Sequence, residues 1–304
     1  MKQKVIDIDS IQDVLLKSDN LIHGLEVGIQ ALSLDFGYHI KNTFKEPKIF
    51  TLRNSISYRL NSSRFHCHLL FRELDLIQNK HDNLKPSKDI RDSPQWHLEM
   101  DKRHLSYILD STVFHLTSVF DYCAILISYI ATRTDAQPDW NKIQSFSRAT
   151  SGPFKNPNTD KIKEVVKSIH KDFVCPLYDY RSDVIHRTAD VLSSFLSHDY
   201  ASNKKTLLFL CSPLQQKKFK LGEIETKYTL QFFVQHLLTN AIESVVNIIR
   251  VLRNYMEDNS NNEELLNEGK VMFAYIGPSN QMVSPSFEEW KVFERIFFDA
   301  AADS

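Results

Sequence analysis

The sequence predicts an all-α fold, a bundle of long helices with a small β-hairpin inserted at about residues 204–225. Three observations predict it. Two segments carry apolar residues at steps of three and four over many turns. Only 7 of 304 residues are Gly, about a third of the usual share. Hydrophobic residues make up 42% and charged residues 25%, enough for a sizeable core. Scarce Gly argues against Rossmann folds, P-loop enzymes and many-stranded barrels, whose turns and phosphate loops use positive φ.

Along the chain, residues 20–36 form a first helical candidate, weakened by Gly24 and Gly28. A long helix is predicted from about Leu52 to Gln78. Residues 81–96, with two Pro and no periodicity, read as a loop. From 98 to 132, Leu105, Leu109, Val113, Leu116, Phe120, Cys123, Ile127 and Ile130 give one apolar stripe, with Ser111, His115 and Ser118 off it. A polar connection follows, with a short helix near Trp140–Phe146. Residues 160–173 form a basic helix, and Pro176 suits the start of another that runs to about Ser197. TLLFLC (206–211) and KKFKLGEIET are read as the two hairpin strands. The second strong helix spans about Leu230–Met256. This divides the chain into an N-terminal helical extension (1–50), a helical bundle (51–256) and an acidic C-terminal tail (257–304) with a short helix around 287–298.

Formal net charge is −1, which excludes a globally basic nucleic-acid binder. The charge is nevertheless segregated. Residues 142–171 carry seven basic against two acidic residues, residues 204–227 six against two, and residues 257–304 three against ten. Solvated helix faces account for most such segments, and a polyanion surface is the alternative. Cys67, Cys123, Cys175 and Cys211 lie far apart and form no CxxC pair, so reduced thiols are expected rather than a zinc site. His66 and His68 form an HxH pair, but on a helix they lie about 160° apart and cannot chelate one ion. No metal site and no cofactor are expected. The N-terminus is acidic where a secretion signal is apolar, and the longest uncharged stretch of the most apolar helix, 122–132, is short for a bilayer. A cytoplasmic protein with no membrane span is the expectation.

The most informative segment is Asp179-Tyr180-Arg181-Ser182-Asp183-Val184-Ile185-His186-Arg187. It resembles the Arg-x(4–6)-His motif of the HEPN superfamily, small all-α domains widespread in bacterial defence and toxin systems. The long helix carrying Ser118–Tyr122 precedes it and another long helix follows, so the resemblance covers roughly residues 50–256. Arg59…His66 and Arg91…His97 fit the same spacing. The first lies inside an early helix and the second contains Pro94, whereas Arg181…His186 sits in a late helix with an Arg directly after the His. Ser182 stands where the family usually has Asn, Asp or another polar group, and Asp183 follows one position later.

The resemblance implies metal-independent RNA cleavage in which the RNA's own 2′-OH attacks the adjacent phosphorus. His186 then serves as general base or acid, and Arg181 stabilises the charged transition state. Asp183 orients His186. Tyr180, Ser182 and Arg187 contact the substrate. It also implies a homodimer with two motifs facing each other in a composite site, and an antitoxin or other operon-encoded protein as partner. Asp121 is either a solvent-facing carboxylate or a partner for Arg181 from a facing helix. On a helix, Val184, Ile185, Thr188, Val191, Leu192 and Phe195 cluster within about 80° of Arg181, and His186 lies about 140° away. The competing reading is a catalytically silent HEPN-like module that binds a partner protein or nucleotide, favoured by Ser182 and the acidic tail.

Overall fold

The computed structural model describes residues 5–8, 11–41, 47–83, 89, 93–186, 192–199, 204–222, 226–260, 275–276 and 282–283. Helix dominates. In chain order the α-helices are α1 (Ile11–Asp35), α2 (Pro47–Asn83), α3 (Pro94–Thr132), α4 (Trp140–Ala149), α5 (Asp160–Ile169), α6 (Cys175–His186), α7 (Pro213–Phe219) and α8 (Leu230–Asp258). Wider π turns follow α1 at Phe36–Lys41 and join α5 to α6 at His170–Val174. The strands are short: β1 (Val5–Ile6), β2 (Ser193–Asp199), β3 (Lys204–Leu210), β4 (Lys227–Tyr228), β5 (Tyr275–Ile276) and β6 (Met282–Val283). They pair two by two, β1 parallel with β4, β2 antiparallel with β3, β5 antiparallel with β6.

The two periodic segments fold as their spacing dictates. Every stripe position of α3 from Leu105 to Ile130 is buried, as is every stripe position of α8 from Leu230 to Tyr255. A helix with apolar residues at these steps hides one continuous face, which is where its stability originates. By length and composition α3 and α8 are also apolar enough to cross a membrane, longer than the uncharged stretch 122–132 suggested. About 67% and 56% of those windows are buried inside the protein, as in core helices.

The chain forms two compact units that interleave along the sequence, with α1, α2, α3 and α8 contributing to both. The first comprises residues 1–18, 59–118 and 171–241. Its core includes Cys67, Leu70 and Phe71 of α2, Leu109, Val113 and Leu116 of α3, Leu177 and Tyr180 of α6, and Phe233 and Leu237 of α8. The second comprises residues 19–58, 119–170 and 242–304. There Ile22, Leu25, Ile29 and Leu32 of α1 are buried together with Phe120, Trp140, Val166 and Leu252. Residues 19–35 thus contribute to the core of the second unit. The tail helix expected at 287–298 lies outside the described residues.

The hairpin differs from expectation. The helix with Pro176 ends at His186, not near Ser197, and residues 193–199 form β2 instead. β2 pairs with β3 from Ser193 opposite Leu210 to Asp199 opposite Lys204. Ser193, Ser194 and Ser197 are weak helix residues, and an apolar strand such as TLLFLC needs a partner. KKF, read as a strand, is the end of α7. Ser212 and Gln215 form a reciprocal capping box, with Pro213 at the first helical position. Gly222 follows at φ +114°, a backbone conformation L-residues rarely adopt.

The cysteines are free thiols, with Cys67, Cys123 and Cys211 buried. Burial pushes the Cys67 thiol up to about 12, so it is inert at neutral pH. Burial lowers the proton affinity of His236, packed against Phe219 and Phe232. A histidine with a depressed native pKa contributes stability in full above its unfolded value, about 6.5. That contribution is lost as pH falls from there towards the lower native value, because the unfolded chain then binds more protons. Urea midpoints are expected to fall between about pH 7.5 and about pH 5, and to fall less in His236→Gln. An equal drop in both proteins would remove His236 from this account.

Candidate functional site

Arg181 lies in the first unit, more than a turn before the end of α6. Its guanidinium carbon stands 5.6 Å from the centre of the Phe114 ring on α3. Its Nε is buried and donates to no partner among the described residues. An arginine beside an apolar stripe is costly unless something engages it, and here an aromatic face does so. Nearby, the Tyr178 hydroxyl donates to the Thr117 carbonyl at 3.1 Å, tying α6 to α3.

Phe114 holds a second guanidinium. Arg59 of α2 lies 5.5 Å from the same ring centre. Arg59 Nη1 also donates to His115 Nδ1 at 3.1 Å. Guanidinium only donates, so this nitrogen of His115 carries no proton. The His115 ring stacks at a tilt on His66, centres 5.1 Å apart. His66 Nδ1 donates to the Ser62 carbonyl at 2.7 Å, which leaves the lone pair on its Nε2. Burial, then the neighbouring His66 and Arg59, lowers the proton affinity of His115. Two guanidinium groups and the His115 imidazole thus meet one half-open ring, and His66 packs on His115 behind them, the four side chains coming from three helices. Such an arrangement binds anions, and imidazoles beside bound phosphate can move protons.

In sequence, Arg59 and His66 belong to an early helix that the motif does not favour, and His115 lies off the α3 stripe. The readable signal is their spacing. Arg59 and His66 are seven apart, two helical turns, and so share a face. The convergence with α3 and α6 is tertiary and has no local signature.

The remaining predicted residues are dispersed. Tyr180 is 1% exposed, and its hydroxyl receives Gln215 Nε2 at 2.9 Å. Its ring packs edge-on against Phe219 and Phe233. The expected surface contact at Tyr180 is therefore replaced by a core role, with one side in the wall of a cavity. That cavity, about 500 Å³, is also lined by Lys102, Arg103, Tyr107, Asp110 and Val184. Asp183 pairs with Lys218 of α7 at 2.9 Å. Ser182 is exposed, and so is Ile185 of the apolar cluster counted around Arg181, at 57%. His186 closes α6, but its side chain, like Arg187, lies outside the described residues. Asp121 belongs to the second unit, where its carboxylate receives the Trp140 backbone N–H at 3.1 Å at the start of α4.

The basic segments also part company. Lys163 pairs with Asp160, Lys167 with Glu164 and Lys161 with Asp258, so much of 142–171 is locally neutralised. Segment 204–227 reaches the motif helix through Lys218. Among the described residues, no three His, Cys, Asp or Glu side chains converge as a metal site requires. No family model, curated protein or solved structure matches the chain.

Proposed function

We propose that the protein is a HEPN-like, metal-independent endoribonuclease, cleaving RNA by 2′-OH attack at a site built around Arg181 and His186. The observation that carries this reading is the position of Arg181. The motif arginine shares the Phe114 ring with Arg59, and two imidazoles stand beside them. Always-charged donors grouped this way suit the phosphorane-like transition state of phosphodiester cleavage. His186 exchanges protons with the reacting oxygens, since imidazole titrates near neutral pH. The protein acts in the cytoplasm as a toxin or defence component, restrained by an operon-encoded partner.

Two results are expected. Cleavage survives EDTA and leaves a 2′,3′-cyclic phosphate, because side chains rather than a metal ion do the chemistry. EDTA-sensitive cleavage of DNA would refute the mechanism. The protein also sediments as a two-fold dimer at micromolar concentration, through the helix bearing Arg181 and His186. Exposed Ile185 on that helix supports this, being an apolar side chain open to a partner. A monomer would refute the composite dimer site.

A second reading keeps the helical module and drops the chemistry. The cavity beside Tyr180 and Val184, with Lys102, Arg103 and Tyr107 in its wall, suits a nucleotide's phosphate and base. Asp183, held by Lys218, is then a structural residue. Nucleotide binding with intact RNA would favour this reading.

A further inference from the structure

We infer that Arg59, His115 and Arg181, set about the Phe114 ring, and His66, packed on His115, form the phosphodiester subsite for unpaired RNA, with His66 as general base. This rests on the ribonuclease reading and gives it a substrate class and a proton acceptor. The resemblance rests on Arg181…His186; Arg59…His66 matches the same spacing in an early helix, and His115 belongs to no such pair.

The substrate class follows from the rings. Phe114 is 43% exposed and Phe65, beside His66, is 63% exposed. Exposed rings next to fixed positive charge offer stacking faces to bases and donors to the intervening phosphates. Bases in a duplex are already stacked on each other, so such a surface selects unpaired nucleotides. Arg59 and Arg181 keep their charge at any physiological pH, which fixes the phosphate rather than a neutral group.

The roles follow from the hydrogen bonds. The Ser62 carbonyl fixes the proton of His66 on Nδ1, so Nε2 is the accepting nitrogen. Arg59 fixes the lone pair of neutral His115 on Nδ1, so its Nε2–H donates. In the reaction, His66 Nε2 takes the 2′-hydroxyl proton while the O2′–P bond forms. The P–O5′ bond breaks with its electron pair on O5′, which takes a proton from His186, the acid of the ribonuclease reading. Solvent then carries the proton held by His66 back to His186. His115 Nε2–H and the two guanidinium groups hold the non-bridging oxygens. The products are a 2′,3′-cyclic phosphate and a free 5′-hydroxyl, with no net consumption of water.

The test uses the full chain with a fluorescent single-stranded RNA, the same RNA as a duplex, and the matching DNA strand. His66→Gln is expected to lower cleavage at saturating RNA by about 10²–10⁴-fold while leaving RNA affinity within a few-fold. Phe114→Leu is expected to weaken binding of single-stranded RNA and DNA alike by about 5–150-fold, the cost of losing one stacked base. The duplex is expected to bind more weakly than the single strand. Both residues are partly exposed, so thermal unfolding should match the parent protein, and His66→Asn serves as a second variant if it does not. Cleavage by His66→Gln at the parent rate, with Arg181→Ala inactive, would overturn this subsite and leave the ribonuclease reading standing. Absence of RNA cleavage by the parent protein would overturn both.

Discussion

Alanine in place of Arg181 is expected to lower RNA cleavage by about 10²–10³-fold, the usual cost of one transition-state donor. Alanine in place of His186 is expected to cost about 10²–10⁴-fold, as for a lost proton-transfer group. The fold should persist in Arg181→Ala, because among the described residues the arginine packs on the Phe114 ring and its buried Nε makes no hydrogen bond. Removing it even relieves a buried donor. RNA affinity should fall more for Arg181→Ala than for His186→Ala, since only the guanidinium is always charged. The double variant should be little worse than the worse single one, as for groups serving one step. Initial rates on single-stranded RNA, with binding measured separately by anisotropy, check each part. If the module is silent, neither change touches RNA and Arg181→Ala weakens the dimer instead. Equal cleavage by all three proteins would dismiss the motif as a coincidence of spacing.

The fold was legible where helices carry unbroken stripes. α3 and α8 repeat their apolar residues over seven turns or so, and each stripe position found a partner in the core. Legibility failed where the chain changes secondary structure. SSFL after α6 has no strong preference of its own, and becomes a strand because TLLFLC lies within pairing distance. The letters SPLQ fold as the Ser212–Gln215 capping box, whereas the lysines after them read as a charged strand. On α6, an angular count from Arg181 points the inward face the wrong way. Phe173, Leu177 and Tyr180 step by four and three and are buried, which leaves Ile185 outside. Of the candidate site, Arg181 was legible through its motif, and Arg59 with His66 only as a matching spacing set aside for its place in an early helix. Arg59 and His66 come from α2 and His115 from α3, and no short window of sequence contains them all.

Trp140→Ala is expected to cost about 3–5 kcal/mol, a loss of stability well above that of any surface truncation. The residue sits at the first turn of α4 with no exposed surface. Three independent contacts fix it within the second unit. Its ring meets Phe120 edge-on, centres 5.4 Å apart. Its indole N–H donates to His170 Nδ1 at 3.3 Å in the π turn after α5. Its backbone N–H donates to Asp121 of α3. Alanine keeps only the backbone bond, and leaves a void whose lining side chains lose their contacts on that side. Against a total stability of about 5–15 kcal/mol, that loss is a large share. Trp140→Phe keeps a ring against Phe120 and loses the indole donor, so it should cost less than Trp140→Ala. Asp121→Ala removes one bond to a helix start, and should cost about 1 kcal/mol, as for a lost cap. Urea unfolding followed by circular dichroism gives all three values on one scale. The expected order has Trp140→Ala worst, Trp140→Phe intermediate, and Asp121→Ala mildest or equal to the phenylalanine variant. If Asp121→Ala proved as damaging as Trp140→Ala, the carboxylate would be doing more than anchoring α4, and a role for Asp121 towards a facing helix would return.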